Sequence, residues 1–163
     1  MDIEHADRQS SLPTRHAAFN VERFKRQFQT FNSNTLIELP SLYAPEIIFK
    51  DPIHQLQGLT ALRTYFASFL NPEMQCKFEF THQLLGQNEA FFQWQMHYQH
   101  TQLARGKLLQ LSGSTFIRFG NQIFYHEDYY DMGAMIYQHI PVIGWAVKKI
   151  NARLTAEKTE QKT

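Results

Sequence analysis

The sequence predicts an α+β domain, and three observations carry that prediction. Helix-period segments dominate the first 70 residues. Long stretches of strict two-residue alternation then run from residue 76 to residue 130. One composition class holds throughout, with no internal repeat and no linker, so helices and strands are segregated within a single core. A chain of 163 residues that is 43% hydrophobic is large enough to bury one.

Pro13 can open the first helix. From there to Phe31, the apolar residues Ala17, Val21, Phe24, Phe28 and Phe31 recur every three or four positions, with Glu22, Arg23, Lys25 and Arg26 between them. That is an amphipathic helix with a solvated charged face. Asn34 or Thr35 can cap a second, short helix reaching Tyr43, bent or split at Pro40. EIIFKDP then reads as a short strand closing at Asp51-Pro52. Gly58 precedes a third helix, Leu59 to Leu70, striped with Leu59, Leu62, Phe66 and Phe69.

The strands follow. In CKFEFTHQLL, residues 76–85, alternation puts Cys76, Phe78, Phe80, His82 and Leu84 on one face. AFFQWQMHYQH, residues 90–100, sets Phe92, Trp94, Met96 and Tyr98 against glutamines and His97. Lys107 to Phe119 is a third long strand, and Gly120-Asn121 turns into a fourth, QIFYHEDYYDM. One-sided alternation of this kind fits an antiparallel sheet with one covered face. Helices from the front of the chain can lie on the concave side of such a sheet, if it is strongly bent, and leave a cone-shaped pocket. Residues 1–13 are expected to be a flexible leader and 14–150 the single domain. That domain includes an apolar helical extension at 132–150, and 151–163 is expected to be a flexible tail.

Composition excludes several functions. Sixteen Lys and Arg against fifteen Asp and Glu give no field that would gather nucleic acid. A single cysteine, Cys76, allows no internal disulfide, and no zinc-type Cys/His spacing exists. His97 and His100 fall on opposite strand faces and no HExxH occurs, so no metal site is expected. LSGSTF lacks nucleophile-elbow spacing, and no glycine-rich phosphate loop is present. The polar N-terminus lacks a signal-peptide core, and the apolar stretch near 132–147 is interrupted, which leads to the expectation of a soluble, cytoplasmic protein.

The last strand holds the candidate chemistry. Alternation groups Phe124, His126, Asp128 and Tyr130 on one face, with Glu127 and Asp131 on the other. A carboxylate among aromatic rings loses hydration and gains basicity. Asp128 is therefore the leading general base, with His126 beside it; the bland alternatives are a carboxylate tied to the sheet end and a satisfied core histidine. Strand rise separates the two by roughly 7 Å, which suits two groups acting on one ligand rather than a mutual hydrogen bond.

LYAPEIIFKDP, Gly58 before a helix, and a closing FYHEDYYDM resemble the SnoaL-like branch of the nuclear-transport-factor-two-like superfamily, over roughly residues 17–135. The most telling pieces are F-x-D-P at Phe49 to Pro52 and D-Y-Y-D at Asp128 to Asp131. The resemblance implies a cystatin-like α+β barrel: a cone-shaped, curved antiparallel sheet with the N-terminal helices on its concave face. It also implies kinship with polyketide cyclases, ketosteroid isomerases, limonene-epoxide hydrolase and scytalone dehydratase, alongside members with no catalytic role. The epoxide hydrolase's R-D-Y-F-D aligns with Glu127 to Asp131, which puts its catalytic aspartate on Asp128. Its Arg-x-Asp falls near Trp94 and Met96 here, so that charged pair is missing.

In such a fold Tyr43, Tyr65, Phe69, Trp94, Met96 and Tyr130 are expected to line the cavity, with His82 joining if its face is concave. Asp51 is either a pocket group or a turn former. The implied function is binding of an apolar small molecule, with isomerase, cyclase or hydratase chemistry by Asp128 and His126 and no cofactor. The alternative is a non-catalytic ligand-binding or protein-interaction module. A homodimer is expected by analogy, and the C-terminal helix could instead touch a membrane surface through Trp145, Lys148 and Lys149.

Overall fold

The computed structural model describes residues 20–70, 74–100 and 106–135, together with Trp145 and Lys149. Asn20 is extended, and its side chain accepts from the Arg23 backbone N–H at 3.0 Å, so it caps helix α1, Val21–Gln29. The helix therefore starts well after Pro13. The expected leader, the segment between it and Asn20, and the tail lie outside the described residues. Phe24 and Phe28, one turn apart, are the buried stripe of α1.

Helix α2, Ser33–Leu42, is capped by Asn32, which forms a reciprocal box with Thr35. The helix is not split at Pro40. Pro40 is exposed near the end of the helix, while its neighbours Leu39 and Leu42 are buried. Its carbonyl accepts from the Gln122 side chain at 2.7 Å, tying α2 to the last hairpin. The chain passes straight into strand β1, Tyr43–Lys50, followed by a short strand β2, Gln55–Gln57, that the sequence did not announce. Gly58, at φ 88°, starts helix α3, Leu59–Ser68, in a conformation other residues resist.

Strands β3, Met74–Leu85, β4, Glu89–His100, β5, Leu109–Phe119, and β6, Ile123–Tyr130, complete one six-stranded sheet in the order β2-β1-β6-β5-β4-β3. The sheet is curved and does not close. Its pairings are antiparallel except that β1 runs parallel to β6. A short helix α4, Met132–Met135, follows. Of the apolar extension beyond it, only Trp145 and Lys149 are described, with the Lys149 ammonium 4.8 Å from the Trp145 ring. No described helix is long and apolar enough to cross a membrane.

The core is an aromatic layer between the helices and one face of the sheet. Phe24 stacks on Phe92 at 5.2 Å, Phe28 meets Phe78 edge-on at 5.9 Å, and Phe66 meets Phe49 edge-on at 5.7 Å. Each buried ring of this size contributes roughly 1.5–3 kcal/mol by leaving water.

Two bulges decide which side chains reach that layer. In β3 the register slips between Phe80 and His82: Phe80 opposes buried Trp94, but His82 opposes exposed Gln93. Residues opposed across a ladder share a face, so His82 points outward. In β6 the register slips at Phe124: Ile123 pairs with buried Phe119, and Tyr125 with exposed Arg118. Ile123 takes the inward position and Phe124 is 38% exposed, its ring 5.5 Å from the Arg118 guanidinium. Beyond that bulge, His126, Asp128 and Tyr130 follow in register on the concave side.

Candidate active site

β6 delivers His126 and Asp128 into the aromatic layer, and β1 lies alongside it with Phe49 paired to His126. His126 is 1% exposed, ringed by Phe49 at 5.0 Å, Tyr43 at 5.9 Å, and Phe24 and Phe28 each at 6.0 Å. A buried imidazole requires partners, and it has two. Its Nδ1 lies 2.9 Å from the Tyr43 hydroxyl, and its Nε2 lies 2.9 Å from Asp128 Oδ1. The direct contact corrects the expectation that strand spacing would keep His126 and Asp128 apart: the two side chains lean toward each other along the strand.

Thr115 on β5, directly across from Asp128, donates its hydroxyl to the same Oδ1 and accepts the Trp94 indole N–H at 2.8 Å. Burial, reinforced by the charge of Asp128, holds the Tyr43 phenol well above its ordinary pKa. Tyr43 is therefore a neutral phenol; in the tautomer in which it donates to Nδ1, Nε2 donates to the carboxylate. Donors thus converge on Asp128 from both sides, His126 through Tyr43 and Thr115 through Trp94.

Asp128 also lines a cavity. Its walls are aromatic: Phe28 and Phe31 from the first helix and its end, Phe49 from β1, Tyr65, Phe66 and Phe69 from the third. The sheet adds Cys76, Phe78, Trp94, Met96, Leu111 and Tyr130. The volume is about 60 Å³. Phe31, Phe69 and Cys76 are shared with a wider, more open chamber of about 360 Å³, whose other walls are Asn32, Ser33, Leu70 and Gln75. On its far side Asp128 borders a third space of about 20 Å³, together with His126 and Thr115. Trp94 and Met96, expected to line the cavity, stand in its wall.

A second polar group lies by Tyr65 and Tyr130. Asp51 Oδ1 accepts from the backbone N–H groups of Ile53 at 2.8 Å and His54 at 2.6 Å, and the His54 ring is 3.1 Å from it. Its other oxygen accepts the Tyr65 hydroxyl. Burial pushes the Asp51 carboxyl up, but these hydrogen bonds outweigh it and leave the pKa below the usual value. Asp51 thus forms its turn and, through Tyr65, reaches the cavity wall without lining it. Burial, followed by the bond to Asp51, raises the Tyr65 phenol. Burial, followed by the charges of Asp51 and Asp128, raises Tyr130. Both phenols stay protonated donors at neutral pH. Burial pushes the Cys76 thiol up to about 11, so it is an uncharged wall rather than a nucleophile.

Of the residues singled out in the sequence, Tyr65, Phe69, Trp94, Met96, Asp128 and Tyr130 meet in the inner chamber. Tyr43 stands behind His126, and His82 is exposed and remote. Thr115 went unnoticed in the sequence; only its position opposite Asp128 in the ladder would have drawn attention to it. Among the described residues, no three His, Cys, Asp or Glu side chains converge as metal ligands.

The SnoaL-like domain family matches residues 24–126, well over half of the chain. The protein belongs to that family. No curated protein matches the sequence. Solved structures share the fold at low identity. A protein described as a candidate SnoaL-like polyketide cyclase from Jannaschia sp. CCS1 superposes with a TM-score of 0.64 at 11% identity, covering 75% of this chain and 91% of its own. An LEH-like epoxide hydrolase from M. tuberculosis gives 0.59 at 11% identity, covering 79% and 92%. A hypothetical protein with a ketosteroid isomerase-like fold from Catenulispora acidiphila, solved in complex with trimethylamine, gives 0.61 at 15% identity, covering 73% and 90%. At these identities the likeness shows the fold, and the chemistry must come from the site.

Proposed function

We propose that this SnoaL-like domain is a cofactor-independent acid–base enzyme acting on an apolar small molecule, with Asp128 as the base. One observation carries the reading. The Asp128 carboxylate has Oδ1 fixed by His126 and Thr115, and it borders a largely aromatic chamber. A base must be oriented and within reach of the proton it takes. His126 touches the carboxylate rather than the chamber and acts as its positioning residue. Tyr130, two positions along the same strand, protonated and hydrogen-bonded to Asp51, lines the chamber beside the base. Isomerisation, cyclisation and hydration all begin with such a base. The absence of an Arg-x-Asp at Trp94 and Met96 argues against epoxide opening by three charged residues.

The test is carbon-acid exchange. The protein is incubated in D2O with small neutral ketones, and deuterium incorporation next to the carbonyl is followed by NMR. Exchange should exceed the buffer rate and fall by a factor on the order of 10² in Asp128→Asn. Equal exchange in the variant removes Asp128 from the chemistry.

The second reading is a binding module without turnover. The narrowness of the inner chamber favours it, and the Catenulispora relative with trimethylamine shows a small occupant in this type of fold. Ligand retention without exchange would select it.

A further inference from the structure

The two chambers differ in size, wall chemistry and charge, and together they define what fits. This rests on the reading that the Asp128 cavity is the ligand site. The inner chamber is about 60 Å³. An apolar cavity of about 150 Å³ is what a benzene ring occupies, so the inner chamber takes a head of roughly two or three heavy atoms. The outer chamber is about 360 Å³ and has room for a larger body. They adjoin at Phe31, Phe69 and Cys76, which line both.

Charge narrows the class further. Among the described residues, those lining either chamber include no Lys or Arg. Asp128 is the one carboxylate among the described residues of the inner chamber, and Asp51 stands directly behind Tyr65. In the outer chamber the polar walls are the uncharged Asn32, Ser33 and Gln75. An anion here would meet a carboxylate in a low-dielectric space with no cation to offset the repulsion.

We propose that the ligand is an uncharged molecule with a short acyl or alkyl end, seated head-first against Asp128 and Tyr130, with its larger neutral body in the outer chamber. A ring does not fit as the inner head, and a carboxylate- or phosphate-bearing ligand is rejected.

The experiment uses the full chain in a Trp145→Phe background, which leaves Trp94, in the chamber wall, as the sole tryptophan. Three probes are titrated by fluorescence at pH 7. The first is 4-(4-hydroxyphenyl)butan-2-one, with a neutral body and an acetyl end. In the second a phenyl group replaces the methyl of that end. In the third a carboxylate replaces the phenol hydroxyl. The first should bind, and the other two should bind weaker by a factor on the order of ten or more. Gln75→Arg, which puts a cation in the outer chamber, should recover binding of the carboxylate probe. Equal binding of the phenyl ketone overturns the head-size limit. Equal binding of the carboxylate, or no recovery in Gln75→Arg, overturns the charge rule. No binding of the first probe overturns the ligand class. Binding of the first probe without deuterium exchange leaves the ligand class standing and removes the base role instead, so the two readings fail separately.

Discussion

His126 Nε2 lies 2.9 Å from Asp128 Oδ1, although the two residues are only two positions apart on one strand. The imidazole therefore cannot turn to any other partner without releasing the carboxylate. Tyr43, 83 residues away in the chain, fixes the opposite ring nitrogen. The Asp128 carboxylate is thus oriented, through His126, by a residue far away in the chain.

Removing the Tyr43 hydroxyl should be felt at once. Tyr43→Phe keeps the ring and its packing but leaves the buried His126 Nδ1 without a donor. The expected loss is about 1–3 kcal/mol of stability, measured by urea unfolding. A loss below about 0.5 kcal/mol would mean that the hydroxyl does not serve His126.

Asp128→Asn should separate function from fold. The asparagine carbonyl can still accept from His126 and Thr115, so the unfolding free energy should stay within about 1 kcal/mol of the parent while exchange is lost. A drop of about 3 kcal/mol or more would identify Asp128 as a structural group.

Gly113 is the position where the chamber wall leaves no room. A Cβ there would lie 2.3 Å from Trp94 Cη2 and 2.5 Å from its Cζ2. The indole is buried and held by Thr115, so it cannot simply swing away. Gly113→Ala should cost about 1–3 kcal/mol and shift the Trp94 emission in the Trp145→Phe background. Unchanged stability and emission would mean that the indole has freedom the geometry does not show.

Asp51 gives a pH signature. Its folded pKa lies below the unfolded value, so its contribution is fully present above about pH 4. It is lost as pH falls through the lower folded value. Asp51→Asn should therefore be less stable than the parent at neutral pH, and the gap in urea midpoints should shrink as pH drops from 4 toward 2. A gap that stays constant over that range would exclude the carboxylate as its source.

The helix-then-strand order, the inward set of β4 and the pairing of Asp128 with His126 on one face were all legible, because period and alternation are local properties of the sequence. The failures occur where a ladder slips by one residue. His82 follows Phe80 in perfect alternation, yet the bulge between them turns it outward; Phe124 and Ile123 exchange faces for the same reason. Nothing local marks such a slip, because it is set by the partner strand. The parallel seating of β1 beside β6 was equally hidden, since the two share no turn. Thr115 and Tyr43 acquire their roles only through that long-range register. Pro40 was misleading for a different reason: burial of its flanking leucines outweighs the backbone hydrogen bond that proline forgoes.

The last described strand, β6, is an inner strand of the sheet, between β1 and β5. A chain emerging from the ribosome without β6 holds two separate fragments, β1 with β2 and β3 with β4 and β5, and no strand to join them. Closing them requires contacts across 83 residues, the kind of non-local step that makes folding slow. The same eight residues that complete the sheet carry His126 and Asp128. Half-folded intermediates therefore carry no half-built site: the His126–Asp128 pair and completion of the fold arrive together, and a truncation that keeps α1 to α3 but removes β6 forfeits both.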